Sequence, residues 1–472
     1  MRAATGGEGL NITLDAGDSL STDTYFGSFY LSHWQALTDI DHLAVVVGFA
    51  GHGKVRVLEV GPSGTELLCE YKLRSAGVQR HLIAFRRGGL DAILADGQTA
   101  GRLYVEVVAI TACQVQSIDF VTETAPRQDV RLSIGMSTFN DTASQIGTVL
   151  PEVMMVAAQS EAIRAVYLVN HGAELSRVGA TLQQAKLHHL APAAEDAPGG
   201  LAQTIAAARA AGDGGTHHLV LADDQLVDAR LILRAVEFLR HAKGPLILGA
   251  PALDARRPTA LLAAAVVVGE AGQFRYAGQG KDLIGRPANT ARRIDPLAPF
   301  AKVAQTDYCP WWFCVLPLDT ATALPQRGYA RGDDFAYEQE EHSRGVQSLT
   351  LPGMGVWRMP SLTVPDSNDL TNRYLPLRRL PAEDEATPPR QLHLLQGTMF
   401  PADDLPEIMY LRVTPERRRG GLVPRQGQSG RPVICLDATS FLSTDTFFGS
   451  FYRAYWHEYT KVRDLSLVVE LS

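Results

Sequence analysis

A chain of 472 residues is longer than one hydrophobic core usually organises, so two or three domains are expected. Acidic and basic residues nearly balance, at a net charge of -7, and are interspersed along the sequence. That distribution excludes the basic footprint of a nucleic-acid or anionic-membrane binder. The five cysteines (Cys69, Cys113, Cys309, Cys314 and Cys435) are odd in number and form no CxxC pair, so neither a disulfide framework nor a structural zinc site is indicated. The longest apolar run, residues 259–269, is about half of what a bilayer span needs. The N-terminus has no apolar core of a secretory signal. A cytoplasmic location is expected, with peripheral association at the inner face of the plasma membrane left open.

In chain order, the first feature is a repeat. LDAGDSLSTDTYFGSFYLSHWQALTDIDHLAVVV at residues 14–47 returns as LDATSFLSTDTFFGSFYRAYWHEYTKVRDLSLVV at residues 436–469. Trp34 falls on Trp456, Phe29 on Phe451 and Thr38 on Thr460, in one unbroken register with about half of the positions identical. The second stretch reads as the start of another copy of the N-terminal domain. After the first copy come HLAVVVGF, KVRVLEVG, TELLCEYKL, HLIAFRR and LYVEVVAI, short β-rich runs separated by Gly, Ser and Asp. They predict an antiparallel β-sandwich over residues 1–128. Within it, residues 48–55 (GFAGHGKV) match the opening of a phosphate loop, but Val55 stands where a hydroxyl should hold magnesium and no helix follows. A hairpin turn is the preferred reading.

From residue 129 the texture changes. VRLSIGMSTF, AVYLVNHG and HHLVLADD read as strands. They alternate with helical SQIGTVLPEVMMVAAQ, GLAQTIAAARAAG and VDARLILRAVEFLRHAKG. Strands alternating with helices predict a parallel, Rossmann-like α/β sheet with crossovers, and such sheets bind ligands at the carboxyl ends of their strands. Asn140, Asn170, Asp223 and Asp224 lie at those ends. Residues 379–430, with PAEDEATPPRQ and TPERRRGGLVPRQGQSGRP, have the composition of a linker, containing one ordered stretch, LHLLQGTMFPADDLPEIMYLRV. Residues 431–472 would open the second sandwich.

Four segments carry chemistry. HLVLADDQ places adjacent carboxylates where a strand ends; such pairs are commonly caps, but they can also hold a divalent cation that bridges two phosphates. DYCPWWFCVLP sets two tryptophans before an apolar strand, either as ordinary core or as a platform for the C–H face of a sugar. RGDDFAYEQEE is a solvated helix start, or the source of a general base. LPGMGVWRM is a turn followed by a short strand ending in Trp357 and Arg358.

In order and spacing these segments resemble the polymerising galactofuranosyltransferases of cell-wall galactan, within glycosyltransferase family 2. The resemblance covers residues 14 to about 377. STDTYFGSFYLSHW looks like the family's N-terminal β-sandwich motif (TYFxxFxxxYW). GDDFAYEQEEHSRGVQSLTLPGMGVWRM follows the family pattern WDDxDYGLRxxxxGxxxxxLPGxxxWHM without a gap. It implies a multidomain protein, an antiparallel β-sandwich followed by a GT-A glycosyltransferase domain over residues 129–378. It also implies an inverting hexosyl transfer from a UDP-sugar to a polysaccharide or glycolipid acceptor, with no nucleic-acid partner and with homo-oligomers compatible. By that resemblance Asp334 would be the general base, with Asp333 beside it binding acceptor hydroxyls and Trp311 and Trp312 lining the acceptor site. Asp223, Asp224 and Gln225 fall on the family's DDD triplet, whose first and third members hold manganese or magnesium. Arg358 falls on its metal-binding His, Asn140 and Asp141 on an Asn-Arg near the nucleotide, and Asn170 on an Asp of the same pocket.

The departures are as informative as the matches. Of the three expected metal ligands only Asp223 survives; Gln225 is a poor substitute for a carboxylate, and Arg358 cannot ligate a cation. Two readings follow: a metal-independent transferase in which Arg358 supplies the positive charge, or a catalytically degenerate module of a larger tandem protein. A third reading, from another class, is a glycan-binding scaffold whose duplicated sandwich raises avidity.

Overall fold

The computed structural model describes residues 12–61, 64–85, 101–138, 146–172, 175, 181, 184–192, 200–269, 274–284, 295–301, 303, 305–319, 324, 333–358, 393–396, 409 and 412–414. The second copy of the repeat, Asn140 and Asp141 therefore lie outside the described residues.

The N-terminal part is antiparallel β structure. Its strands are β1 (Ile12–Leu14), β2 (Ser19–Ser21), β3 (Ala44–Gly61), β4 (Gly64–Ala84), β5 (Arg102–Ala109) and β6 (Cys113–Thr122), with a short helix α1 (Leu31–Leu37) after β2. Four of the runs read separately in the sequence merge into the two long strands β3 and β4, which pair over almost their whole lengths. The first half of β3 pairs with β6 and the second half with β5, so one strand joins two parts of a single bent sheet. The pairing thus joins into one sheet the strands that a sandwich would divide between two.

The bend falls on GFAGHGKV, which corrects the hairpin-turn reading: these residues are the middle of β3, and the hairpin closes at residues 61–64. Gly51 is at φ +107°, and a Cβ there would stand 2.6 Å from the Cys113 Cβ. Bulges between Gly48 and Gly51 bend the strand without breaking it.

The second part contains β7 (Leu132–Thr138), α2 (Ile146–Gln159), β8 (Ile163–Asn170), β9 (Leu187–Leu190), α3 (Gly200–Ala210), β10 (His217–Ala222), β11 (Gln225–Val227), α4 (Leu231–Arg240), β12 (Leu246–Gly249), β13 (Ala252–Asp254), β14 (Arg257–Ala263), β15 (Val266–Val268), β16 (Phe274–Tyr276), β17 (Phe313–Pro317), α5 (Asp333–Ser343), β18 (Gln347–Thr350) and β19 (Val356–Arg358). Seven strands form one sheet in the order β18-β12-β17-β10-β7-β8-β9. The expected βα alternation is present: β7, β8, β9 and β10 run parallel, and β12 runs parallel to β18. The sheet is nevertheless mixed, because β17 is antiparallel to both β10 and β12. The carboxyl ends of β10, β7, β8, β12 and β18 therefore share one edge with the start of β17, where Trp311 and Trp312 sit. A four-stranded sheet, β11-β19-β13-β14, lies beside that edge.

Two further strands correct the linker reading. β20 (His393–Gln396) pairs with β6, and β21 (Arg412–Thr414) pairs with β2, so the segment following the α/β part returns to complete the N-terminal sheet. Gln396, buried, donates its side-chain amide to the carbonyls of Phe26, Gly27 and Ser28.

One core runs through both parts, and the repeated aromatic motif is what joins them. Tyr25 packs edge-on against Phe300 (5.2 Å), Phe26 lies 5.5 Å from Trp357, and Trp34 meets Phe29 at 5.1 Å and Phe238 at 4.8 Å. Several buried polar groups at this junction meet partners across it. The Tyr25 hydroxyl donates to the Met354 carbonyl at 2.9 Å, and Arg234 donates to the carbonyls of Gly353 and Phe26. Arg102, 2% exposed, joins Asp23 of the motif to Asp295 of the α/β part. A buried guanidinium is tolerable because both carboxylates and the Ser28 hydroxyl meet it. Each large aromatic buried here contributes roughly 1.5–3 kcal/mol, so the motif fixes the β part onto the Leu351–Trp357 turn.

Candidate functional site

The edge where β7, β8, β10 and β18 end collects most of the residues singled out in the sequence. β10 is buried from His217 to Leu221 and closes on the apolar run Leu219–Ala222, so the polar side chains able to meet solvent are those just past its end. Asp223 is partly enclosed and takes a hydrogen bond from the Thr138 side chain at the end of β7. Burial raises its carboxyl above the usual carboxylate range, and the Asp224 charge adds to the rise. Asn170 ends β8 in register with Thr138 and turns its Oδ1 back to the Gly172 amide at 3.0 Å.

Beyond Asp224 the chain enters β11, whose first residue pairs with the last residue of β19: Gln225 lies opposite Arg358. That register brings the Arg358 Nη2 to 2.5 Å from Asp224 Oδ2. It also lays the guanidinium over the Trp312 ring, 5.4 Å from the centroid. Arg358 is about one-third exposed, so its Nε, which has no partner, lies next to a surface that solvent reaches. Gln225 turns inward, 1% exposed, and donates to the Trp312 carbonyl; its Oε1 is buried without a partner.

The two tryptophans face different neighbours. Trp312 belongs to the main core, its Nε1 donating to the Ala250 carbonyl at 2.8 Å. Trp311 belongs to a second cluster and packs edge-on against Tyr337 at 5.9 Å, with its buried Nε1 unpartnered. Both are more than nine-tenths enclosed. The Trp311 amide points to Asp334 Oδ2 at 3.5 Å, which brings the helix start to the same edge. Asp333 is the first residue of α5, and its side chain lies outside the described residues.

The sequence-predicted metal ligands do not make a metal site. Arg358 is a cation already paired with Asp224, the Gln225 amide is turned into the interior with its Nε2 on a backbone carbonyl, and Asp223 is the one carboxylate of the three. Among the described residues no group of three His, Cys, Asp or Glu side chains stands together so as to hold an ion. This donor set does not fit a divalent cation.

Sequence reasoning missed Glu338 and Ser348. Glu338 is fully buried on α5, one turn past Asp334, and Ser348 on β18 donates to it at 2.6 Å. The signal available was the four-residue spacing from Asp334, hidden in an acidic run that reads as a solvated face.

No family model matches the chain. It is 22% identical over 367 residues to galactofuranosyltransferase GlfT2 of Mycobacterium tuberculosis, covering 74% of this chain and 55% of that protein. It is 23% identical over 368 residues to galactofuranosyltransferase GlfT2 of Mycolicibacterium smegmatis, covering 72% and 53%. The chain thus spans about half the length of the curated relatives it matches, and the resemblance carried by the motifs is borne out by them. Among solved structures, mannosyltransferase PcManGT from Pyrobaculum calidifontis in complex with GDP-Man and Mn2+ aligns at 13% identity over 52% of this chain and 60% of its own. The TM-score is 0.31, too low to carry an argument. No helix among the described residues is long and apolar enough to cross a membrane.

Proposed function

We propose that this chain is a glycosyltransferase that moves a hexosyl unit, galactofuranosyl by its similarity to GlfT2, from a UDP-sugar to a polysaccharide acceptor with inversion. The observation that carries the reading is a convergence at one sheet edge. Asp223 and Asp224 after β10, Trp311 and Trp312 before β17, Asp334 at the head of α5 and Arg358 at the end of β19 come from four distant stretches of sequence. Asp334 takes the proton of the attacking acceptor hydroxyl.

Arg358 supplies the positive charge at the leaving diphosphate, a role its planar fork of donors suits, and transfer proceeds without a divalent metal. The pairing with Asp224 is the resting arrangement; diphosphate replaces the Asp224 carboxylate on the guanidinium. Turnover of UDP-sugar by the purified chain in the presence of a chelator tests this. Turnover that appears only on adding manganese overturns the metal-independent part, and no turnover under either condition overturns the transferase.

A second reading is favoured by the same ion pair: a catalytically degenerate module or glycan-binding scaffold in which the Asp224–Arg358 pair closes the donor pocket permanently. Glycan binding without any UDP-sugar binding identifies that case.

A further inference from the structure

Both oxygens of the fully enclosed Glu338 carboxyl take the backbone N–H of Cys309, each at 3.0 Å. Oε2 also takes the Ser348 hydroxyl, and the Cys314 thiol approaches Oε1 at 3.6 Å. The next amide of the same loop, that of Trp311, is the one aimed at Asp334; Pro310 between them has no N–H to give. The loop that carries both tryptophans is therefore hung on two carboxyls one helical turn apart. Space for it is made at Gly249 on β12, where a Cβ would stand 2.7 Å from the Cys309 Sγ.

Building on the transferase reading, we propose that Glu338 is a positioning residue that clamps the 309–312 loop, and with it Trp311 and Trp312, to α5 beside Asp334.

Burial disfavours the charged form of this carboxyl and raises its proton affinity, while the donors bonded to it oppose that rise. Its own helix presents Asp334, the buried Glu341 and, through Ser348, His342. The loop presents Tyr308 and Cys309, and β17 presents Cys314. None brings a cation at neutral pH. Burial pushes the Cys309, Cys314 and Tyr308 groups up and holds His342 below the ordinary imidazole value. Burial likewise pushes Glu338 up to about 8, with the Asp334 charge adding to the rise and the bonds from Ser348 and Cys309 opposing it. Were both carboxyls ionised in this enclosed site, their repulsion would raise the proton affinity of Asp334. Ser348 Oγ stands 2.7 Å from Nε2 of the half-buried His342, a hydrogen-bonded route by which the buried proton equilibrates with solvent.

The test is a titration from pH 6 to 10 of tryptophan fluorescence and near-UV circular dichroism on the full chain and its E338Q, E338A and S348A variants, with turnover measured at pH 7. The native chain should show a spectral transition near pH 8. E338Q, an uncharged isostere, should keep the native pH 7 spectrum and lack the transition, with kcat within about threefold of native. E338A should show a changed loop spectrum at every pH and lose roughly tenfold or more in kcat at little change in UDP affinity. S348A, which removes a bond favouring the ionised form, should move the transition to higher pH. A native chain without a transition between pH 7 and 9, an E338Q spectrum matching that of E338A, or an unmoved S348A midpoint overturns the proposal. The spectral arm needs no substrate, so a pH transition without turnover sinks the transferase reading and leaves the clamp standing.

Discussion

Arg358 Nη2 lies 2.5 Å from Asp224 Oδ2 because the two-strand register of β11 and β19 places Gln225 opposite Arg358. A cation is thus delivered by backbone pairing to the end of β10. The guanidinium is steadied from one side by the Trp312 ring and keeps an unpartnered Nε.

Removing that cation should weaken nucleotide binding. R358A is expected to lose about 1.5–3 kcal/mol, or roughly ten- to a hundredfold in UDP affinity, the usual worth of hydrogen bonds to charged groups. An unchanged affinity by calorimetry would place the diphosphate elsewhere.

Asp334→Asn should leave UDP affinity nearly intact and lower transfer by roughly 10²–10⁴-fold, since the amide cannot accept the acceptor proton. Its bond from the Trp311 amide can persist through the amide oxygen, so the fold should hold. Native turnover in this variant removes the base assignment.

The junction between the β and α/β parts should behave as one cooperative unit, because Tyr25, Phe26 and Trp357 share a core. Tyr25→Phe strands the buried Met354 carbonyl and is expected to cost about 1–2 kcal/mol. Trp357→Ala, losing a wholly enclosed indole and its bond to the Pro258 carbonyl, should cost about 3–5 kcal/mol. Denaturant melts of the two variants check both figures. A separate early transition for the β part would contradict the shared core.

The buried Glu338 also sets a pH dependence of stability. Its folded value, about 8, lies above the ordinary carboxylate value, so the folded state binds its proton more tightly than the unfolded chain does. Stability relative to an uncharged isostere is therefore intact below about pH 4.5 and declines as pH rises towards 8, by on the order of 4 kcal/mol. Melting temperatures of the native chain and E338Q should diverge over that window, with the variant the more stable at pH 8. Parallel pH curves would show that the carboxyl is not held neutral.

Much of the α/β part was legible because its strands are apolar runs bounded by helical periods, as in HHLVLADD and VDARLILRAVEFLRHAKG. The bent β3 was not, because the glycines that read as a turn are the residues that let a continuous strand curve past Cys113. The return of β20 and β21 was hidden for another reason: a three- or four-residue strand completing a distant sheet has no periodicity of its own, and its flanks have linker composition. At the site, the motifs located the edge but not the pairing. That Arg358 meets Asp224, and that the adjacent tryptophans part to opposite clusters, follows from strand register and core shape, which local sequence does not encode.

The central claim, that a diphosphate binds at the end of β10 against Arg358 without a metal, is tested most directly by calorimetric titration of the chain with UDP in manganese and in chelator. Equal affinity in both, lost in R358A, is the predicted result. Binding that requires manganese, or no binding in either buffer, contradicts it.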